Sequence, residues 1–457
     1  MMIKRLYSVK IAICLLFVVS GWQATVAFSQ NVPFLPYPHQ IIEREGFFNM
    51  NEFVPVLRPK NASLEEQRAI WMLCEGFENI FGQPLKVTDK AKGRVIVLRN
   101  LSSETPPKRQ EKMILPVGEE GYQLNITPDK IEIIANSNAG LFYGSQTLLQ
   151  LFRTSSPAGS INCMTINDMP SSKQRYLCYS WDSVRVPSFN YVKQLIQQAA
   201  HFKFNGIAFV NDSLSSPFAV MELFYLRKFA EAYHINIVSD YSECLDNDAL
   251  FFMDNWYSTF WTAELLWNEP KNNTASLMKQ RQTQYEKALD RHFFEVDFSL
   301  CEQLLAFNSL KVISLTEVDF WRPVVYDAYS EYMEEIPAHN PANNRFVLTQ
   351  ALALEETLQL LLETAEIRND AVLYFTLFAT QRAGFIALKN LLQESLSQQT
   401  TEPETIQETI TLLLENIRHL QEVHEILWSI ENASHFPPAI TQQYEQMILE
   451  LTKARGE

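Results

Sequence analysis

Three things are scarce in this 457-residue chain, and each shortage argues against a class of function. Basic residues are in deficit: 38 Lys and Arg stand against 53 Asp and Glu, a formal net charge of −15. Proteins that neutralise nucleic-acid phosphates need the opposite balance, so nucleic acid is not expected as a partner. The acidic residues are spread along the chain rather than blocked, which reads as a solubilising surface. Cysteine is scarce too, with six in all, and no Cys-x-x-Cys or Cys/His spacing offers a zinc site. No metal or other cofactor is expected. Apolar length is the third shortage: the amino-terminal run Ile11 to Val19 falls well short of the roughly 20 residues that a spanning helix needs.

What that run does carry is the grammar of export. Lys4, Arg5 and Lys10 precede it, and the small residues Ala24, Ala27 and Ser29 follow. Residues 1–27 therefore read as a signal peptide, with the mature chain starting at Phe28 or Gln30 and located in the periplasm or outside the cell. Cys14 lies too early in the run to be a lipidation site. After cleavage no transmembrane segment is expected, and 35 basic residues face 53 acidic ones, a net charge of −18. Cys74, Cys163, Cys178, Cys244 and Cys301 remain, an odd number that leaves at least one unpaired. Export permits a disulfide, but the spacing selects no pair. About 430 mature residues are enough for two or three domains with substantial cores.

The most informative stretch runs from Gly118 to Phe152. Tyr122, Leu124 and Ile126 alternate with polar residues; Ile131, Ile133 and Ala135 do so again after Pro128-Asp129. That pattern predicts two half-buried strands joined by a turn. Asn138 offers an N-cap for a following helix with an apolar face of Leu141, Leu148, Leu151 and Phe152. Upstream, Ser63 and Glu66 form a capping box before Ile70, Cys74, Phe77 and Phe81, and Val95 to Leu98 reads as a buried strand. Lys108 to Lys112 reads as a charged loop. The wording EGYxLxI, then IxIxA, then GLFYGxQTLxQL, with Gly140, Gly144 and Gln146, resembles the end of the accessory amino-terminal domain of glycoside hydrolase family 20, the β-N-acetylhexosaminidases. The lead VPFLPYPHQ resembles the entry to the same domain, which gives an α/β accessory domain over residues 28–168.

Residues 169–273 alternate strand and helix. Strands are predicted at Tyr176 to Trp181, Gly206 to Val210 and Ile235 to Ser239. Ser188 caps a helix with the face Val192, Leu195, Ile196 and Ala199, and Ser216-Pro217 opens a second helix ending near Tyr233. This looks like the start of a TIM barrel, where chemistry sits beyond the carboxyl ends of the strands: here Trp181-Asp182, Asn211-Asp212 and Ser239-Asp240. The resemblance continues through Asp168-Met169-Pro170, through Arg175, which matches an arginine that holds sugar hydroxyls, and through DSVRVPSFNYVKQLIQQAAHFKFNGIAF. Ala249 to Met253 and NWYSTFWTAELLWNEP look like the last strands of the barrel. Trp267-Asn268-Glu269 resembles the family's terminal Trp-x-Glu, in which the tryptophan stacks on the sugar and the glutamate binds a hydroxyl. Arg175, Trp267 and Glu269 are thus the expected substrate-binding residues, converging on one pocket. The stacking reading competes with a plain aromatic core.

Family chemistry is substrate-assisted: the acetamido oxygen of the sugar attacks the anomeric carbon, one carboxylate orients that amide, and a neighbouring acid protonates the leaving oxygen. An adjacent Asp-Glu pair does both. This chain has no Asp-Glu dipeptide, and Asp240 and Glu243, with Asp246, are the nearest substitutes. No catalytic residue is otherwise identified. From Thr274 onward the pattern is helical: Ser276 to Phe307, Val347 to Ile367, Ala371 to Ser395, Pro403 to Ile430 and Ile440 to Lys453, with an aromatic-rich connection from Ser309 to Phe346. Thr401 and Glu404 make a second capping box. Ile406, Ile410, Leu413, Ile417, Leu420, His424 and Leu427 form a bundle stripe on which His424 is a core residue. LQEVHEILWSIENASHFPPAITQQYEQMILEL resembles the carboxyl-terminal helical region of the same family variant. The expectation is an α/β protein: a small accessory domain, an incomplete barrel-like segment, and a helical domain over residues 274–457. Its function would be that of a β-N-acetylhexosaminidase relative acting on N-acetylhexosamine-containing glycans with weak or no turnover. The alternatives are a non-catalytic glycan-binding or assembly protein, or a fragment of a full-length hexosaminidase.

Overall fold

The computed structural model describes residues 33–50, 54–60, 62–102, 118–155, 159–182, 184–210, 218–239, 251–269, 274–305, 320–322, 341–398 and 402–456. The expected signal peptide, the Lys108 to Lys112 loop, Asn211-Asp212, Ser216-Pro217, Asp240, Glu243, Asp246, Thr401 and most of the Ser309 to Phe346 connection lie outside these residues.

Alternation builds the first layer. In β5 (Tyr122–Ile126) and β6 (Lys130–Ala135), Tyr122, Leu124, Ile126, Ile131 and Ile133 are all fully buried. The two strands pair antiparallel with Leu124 opposite Ile133, as the turn at Pro128-Asp129 requires. Around this hairpin β1 (Gln40–Asn49), β2 (Val56–Leu57), β3 (Val87–Thr88), β4 (Val95–Asn100) and β7 (Ser160–Asp168) complete a mixed seven-stranded sheet in the order β1-β7-β5-β6-β4-β2-β3. Two helices lie on it, α1 (Leu64–Phe81) and α2 (Asn138–Ser155), with the Phe77 and Phe81 rings 5.2 and 6.1 Å from Phe152. The Ser63/Glu66 capping box forms as its spacing predicts. At α2 the cap is one residue earlier than expected: Ser137 Oγ accepts from Gly140 N, while the Asn138 side chain accepts from Asn100. Gly140 and Gly144 allow the close approach of α2 to the sheet. A Cβ on Gly140 would sit 2.5 Å from the Gly121 carbonyl oxygen, and one on Gly144 would sit 2.6 Å from Ile133 Cγ2.

A second, all-parallel sheet follows in the order β10-β9-β8, from β8 (Tyr176–Ser180), β9 (Gly206–Val210) and β10 (Asn236–Ser239). Its crossovers are α3 (Phe189–His201), capped by Ser188, and α4 (Val220–Ala232). The predicted face of α3, Val192, Leu195, Ile196 and Ala199, is buried throughout.

Ala249 and Leu250 lie outside the described residues, and among the described residues beyond β10 the expected last strands do not form. Phe252–Asn255 is a 3-10 turn, and Trp256–Trp267 is a helix, α5. Its buried side chains, Trp256, Phe260, Ala263, Glu264 and Trp267, recur every three to four residues, which is a helical period and not a strand's alternation. The single helix expected over Ser276 to Phe307 is also divided. α6 (Ala275–Ala288) runs into a π-turn at Leu289–Phe293 and is followed by a separate α7 (Leu300–Leu305). Glu295, with φ 57°, turns the chain, and the Asp290 carboxylate accepts from Cys301 N at the start of α7.

The remaining helices are α8 (Pro341–Thr364), α9 (Ala371–Gln398), α10 (Pro403–Glu431) and α11 (Pro438–Arg455), each packing on the next. The α10 stripe is buried from Ile410 to Leu427, and His424 sits within it, 3.0 Å from the Tyr444 hydroxyl. Within α9, Ala371–Leu396 is long and apolar enough to span a membrane by composition, yet 56% of its most apolar window is buried inside the protein, as in a core helix. The end of α10 is tied to the βα segment: the Glu431 carboxylate accepts from Tyr191 Oη, Phe252 N and Met253 N.

Candidate functional site

The parallel sheet has two ends, and the sequence-predicted residues divide between them. Arg175 immediately precedes β8, so it lies at the amino-terminal end, against the accessory layer. Its guanidinium is fully buried and satisfied. Nη1 and Nη2 donate to the two Glu120 carboxylate oxygens at 2.8 and 3.1 Å, Nη1 also to Ser172 O, and Nε to Lys203 O at 2.9 Å. The plane packs on the Trp267 ring, with Cζ 5.0 Å from its centroid.

Trp267 ends α5, and its indole N–H reaches both Asp168 oxygens at 3.0 Å. Asp168, the last residue of β7, is the hub. It also accepts from Tyr122 Oη at 2.7 Å, Lys203 Nζ at 3.1 Å and His39 N at 3.1 Å. Burial alone would raise its pKa. The Lys203 charge and the bonds from His39 and Tyr122 overcome that and hold the carboxyl well below the usual range. Burial lowers the Lys203 pKa more than Asp168 restores it. The geometry is that of an ionised pair, with Nζ also donating to Tyr122 Oη and lying 4.4 Å from the centre of the Trp267 ring. Lys203 adopts φ 58° just past the end of α3.

Arg175 and Trp267 do meet, but each closes on the other. Arg175 and Trp267 are both 0% exposed, and neither offers a free face to a sugar ring or hydroxyl in this arrangement. Glu269, two residues on, is exposed, with its backbone N–H donating to Ser171 Oγ at 3.1 Å. The expected three-residue pocket is therefore a buried Arg175–Trp267 contact with Glu269 outside it. The reason is positional: an arginine before a parallel strand and a tryptophan packed on the same end belong to the base of the sheet, where residues serve stability. Lys203, Glu120 and His39 are not singled out by the sequence pattern. The available signal was Phe202-Lys203-Phe204, a lysine inside an apolar run, where a charge needs a buried partner.

At the carboxyl end of β8, Trp181 is buried, and Asp182 accepts from Val184 N and Arg185 N, both at 2.7 Å, and from Arg185 Nε at 2.8 Å. Partial burial raises the Asp182 pKa, but the bonds from Arg185 and Val184 outweigh it and hold the carboxyl below its ordinary value. Of the buried carboxyls elsewhere, Asp290 is pushed up to about 6 by desolvation. Its bond to Cys301 N makes it a helix cap rather than a free acid. Among the described residues, no group of three or more His, Cys, Asp or Glu is placed to hold a metal ion.

An accessory sheet joined through one buried carboxylate to a parallel βα segment defines the class of arrangement. The comparisons with known proteins fall in line with its first half. Residues 31–169 match the sequence profile described as glycosyl hydrolase family 20, domain 2. The resemblance to family 20 β-N-acetylhexosaminidases read from the Gly118 to Phe152 stretch is thereby shown. No curated protein sequence matches the chain. Among solved structures, the chain is similar to the Streptomyces plicatus N-acetyl-β-hexosaminidase solved in complex with Thio-NAglucal, at 21% identity, TM-score 0.39 and 48% of each chain covered. It is also similar to the Streptomyces coelicolor family 20 β-N-acetylhexosaminidase, at 20% identity, TM-score 0.36 and 46% of each chain. A third similarity is to the Bacteroides fragilis β-N-acetylhexosaminidase, at 17% identity and TM-score 0.35, covering 45% of this chain and 44% of that one. The chain thus spans about half the length of these three solved structures.

Proposed function

We propose that this protein is an exported relative of the β-N-acetylhexosaminidases that engages N-acetylhexosamine-containing glycans with little or no turnover. The carrying observation is order: a family 20 domain 2 over residues 31–169 passes, through Asp168, straight into three parallel strands with helical crossovers. In this reading residues 169–273 are an incomplete barrel. Its glycan-facing side is the carboxyl end of β8–β10, where Asp182 is held below its ordinary pKa and half-exposed.

Weak turnover follows from counting. A full eight-fold barrel takes about 250 residues, whereas Arg175 to Thr274 spans 100 positions. The strands that would carry an adjacent Asp-Glu pair have no room, and no such dipeptide occurs in the chain. Asp240 and Glu243 remain the substitutes. Without a placed general acid, about 10²–10⁴-fold of rate is lost. Incubation with a chromogenic N-acetylglucosaminide is expected to give essentially no release, and turnover on the order of 1–10³ per second would overturn the reading. An inactive protein that still binds N-acetylglucosamine favours the non-catalytic alternative. A longer reading frame restoring roughly 150 residues, the shortfall from a full barrel, would favour a fragment.

Export rests on the leader and gains support from Cys178, which is disulfide-bonded to a partner outside the described residues, while Cys74, Cys163 and Cys301 are free. Amino-terminal sequencing of the exported protein is expected to begin at Phe28 or Gln30. An intact Met1 would refute it.

A further inference from the structure

A cavity of about 510 Å³ lies between α1 and α2 of the accessory layer, α3, and the turn at 368–372 that leads into α9. That volume is within the roughly 300–1,000 Å³ of small-molecule sites. No residue of β8, β9 or β10 lines it, so it is separate from the strand ends discussed above.

Three buried polar atoms of its lining lack a hydrogen-bond partner. His292 is 2% exposed, and its Nε2 donates to Pro33 O at 2.6 Å, so the proton sits on that nitrogen. Nδ1 is left as a bare, buried acceptor with no partner. His201, at the end of α3, likewise has a buried Nε2 without a partner. Arg153, in the last turn of α2, places its Nε 3.2 Å from Glu295 Oε1 without hydrogen-bond geometry, while Arg368 pairs with the same oxygen. Two guanidiniums thus share one carboxylate oxygen.

Glu75 and Asp370 also line the cavity, so the positive charge is confined to the end where Arg153, Arg368 and His201 lie. The charged groups acting on His201 are Arg153, Arg368 and Lys203, together with His292, and no carboxylate is among them. The walls, by contrast, are rich in amides. Gln146 and Gln194 line the cavity beside Gln198, whose Nε2 reaches Asn369 Oδ1 at 3.4 Å.

We propose that this cavity is a second ligand site, taking a small saccharide that carries a carboxylate or sulfate, with the anion at Arg153 and Arg368 and a hydroxyl donated to His292 Nδ1. A buried acceptor left unmatched is costly, which is why a hydroxyl donor suits Nδ1. Guanidiniums pair with carboxylate or sulfonate oxygens through their planar donor fork. The primary amides on the walls can donate to and accept from the remaining hydroxyls. The site stands independently of whether the strand ends bind or turn over N-acetylhexosamine.

The test is calorimetric titration of the full exported protein with glucuronic acid, N-acetylglucosamine 6-sulfate, neutral N-acetylglucosamine and inorganic sulfate. At least one acidic sugar is expected to bind, tenfold or more tighter than either the neutral sugar or sulfate alone; which of the two binds identifies the anion. Arg368→Gln, at a half-exposed position, is expected to weaken that binding at least tenfold with the melting temperature unchanged. Gln194→Trp, at an exposed position on the wall, is expected to block it. Binding of the neutral sugar as tight as the acidic ones would overturn the proposal. So would sulfate alone binding as tightly as the sugars, unchanged affinity in Arg368→Gln, or no binding by any probe at millimolar concentration.

Discussion

The two ends of the β8–β10 sheet are built on opposite plans. At the amino-terminal end, Asp168, Lys203, Arg175 and Trp267 are buried together, and each polar atom meets a partner from another part of the chain. At the carboxyl-terminal end the described polar group, Asp182, bonds only to its near neighbours Val184 and Arg185 and keeps nearly half of its side chain in water. A buried charge can be kept only where the surrounding structure fixes it; a locally held, hydrated one costs little to alter. The base of the sheet is therefore the joint between layers, and the open end is where a change costs the fold least.

The largest expected effect breaks the joint. Asp168→Ala leaves Lys203 buried without its counter-charge and should cost about 3–5 kcal/mol, read as a lower urea midpoint. Asp168→Asn combined with Lys203→Met should recover much of that loss. A single-variant loss below about 1 kcal/mol, the range of exposed pairs, would erase the contrast between the ends. Next comes the approach of α2 to the sheet. Gly140→Ala brings a methyl against the Gly121 carbonyl and should lower stability by about 1–3 kcal/mol, as overpacking does.

Acid should act more gently and more broadly. Burial pulls both His292 and His424 down to about 3, so the folded protein keeps them neutral while an unfolded chain protonates them near 6.5. Stability is full above that value and falls as pH drops from about 6.5 toward 3; Asp168, with its depressed pKa, adds a further loss below the ordinary Asp value near 3.9. Melting temperatures measured between pH 7 and 4 should decline, with a shallower slope in His424→Gln. A flat profile would contradict the burial of these rings. The smallest effect is expected at the open end: Asp182→Asn should move stability by less than about 1 kcal/mol while altering N-acetylglucosamine binding. Altered stability with unaltered binding would count against the proposed role of Asp182.

Much of this was legible in the sequence where one physical signal dominated. Alternation located β5 and β6, the Ser63/Glu66 spacing located a cap, and Ser188 with the Val192 to Ala199 face located α3. The signal failed where composition masked period. NWYSTFWTAELLWNEP resembles a closing barrel strand in its wording, yet its buried set, Trp256, Phe260, Ala263, Glu264 and Trp267, fits a helix. The site was read less well. Arg175 and Trp267 were seen as residues that belong together, and they are; but whether an arginine is a ligand or a joint depends on which end of its strand it occupies and on a lysine 28 residues away, neither of which local pattern contains.

The Asp168 hub also sets an order of events during folding. Its partners lie 129 residues earlier at His39, 46 earlier at Tyr122, 35 later at Lys203 and 99 later at Trp267. Contacts of such long range form only after large loops have closed, which slows folding. A chain emerging from its amino terminus can complete the accessory sheet once β7 is made, but it cannot neutralise Asp168 until Lys203 follows, and cannot cap it until Trp267 arrives. The accessory sheet and the βα segment therefore share one buried carboxylate, and neither is completed without the other.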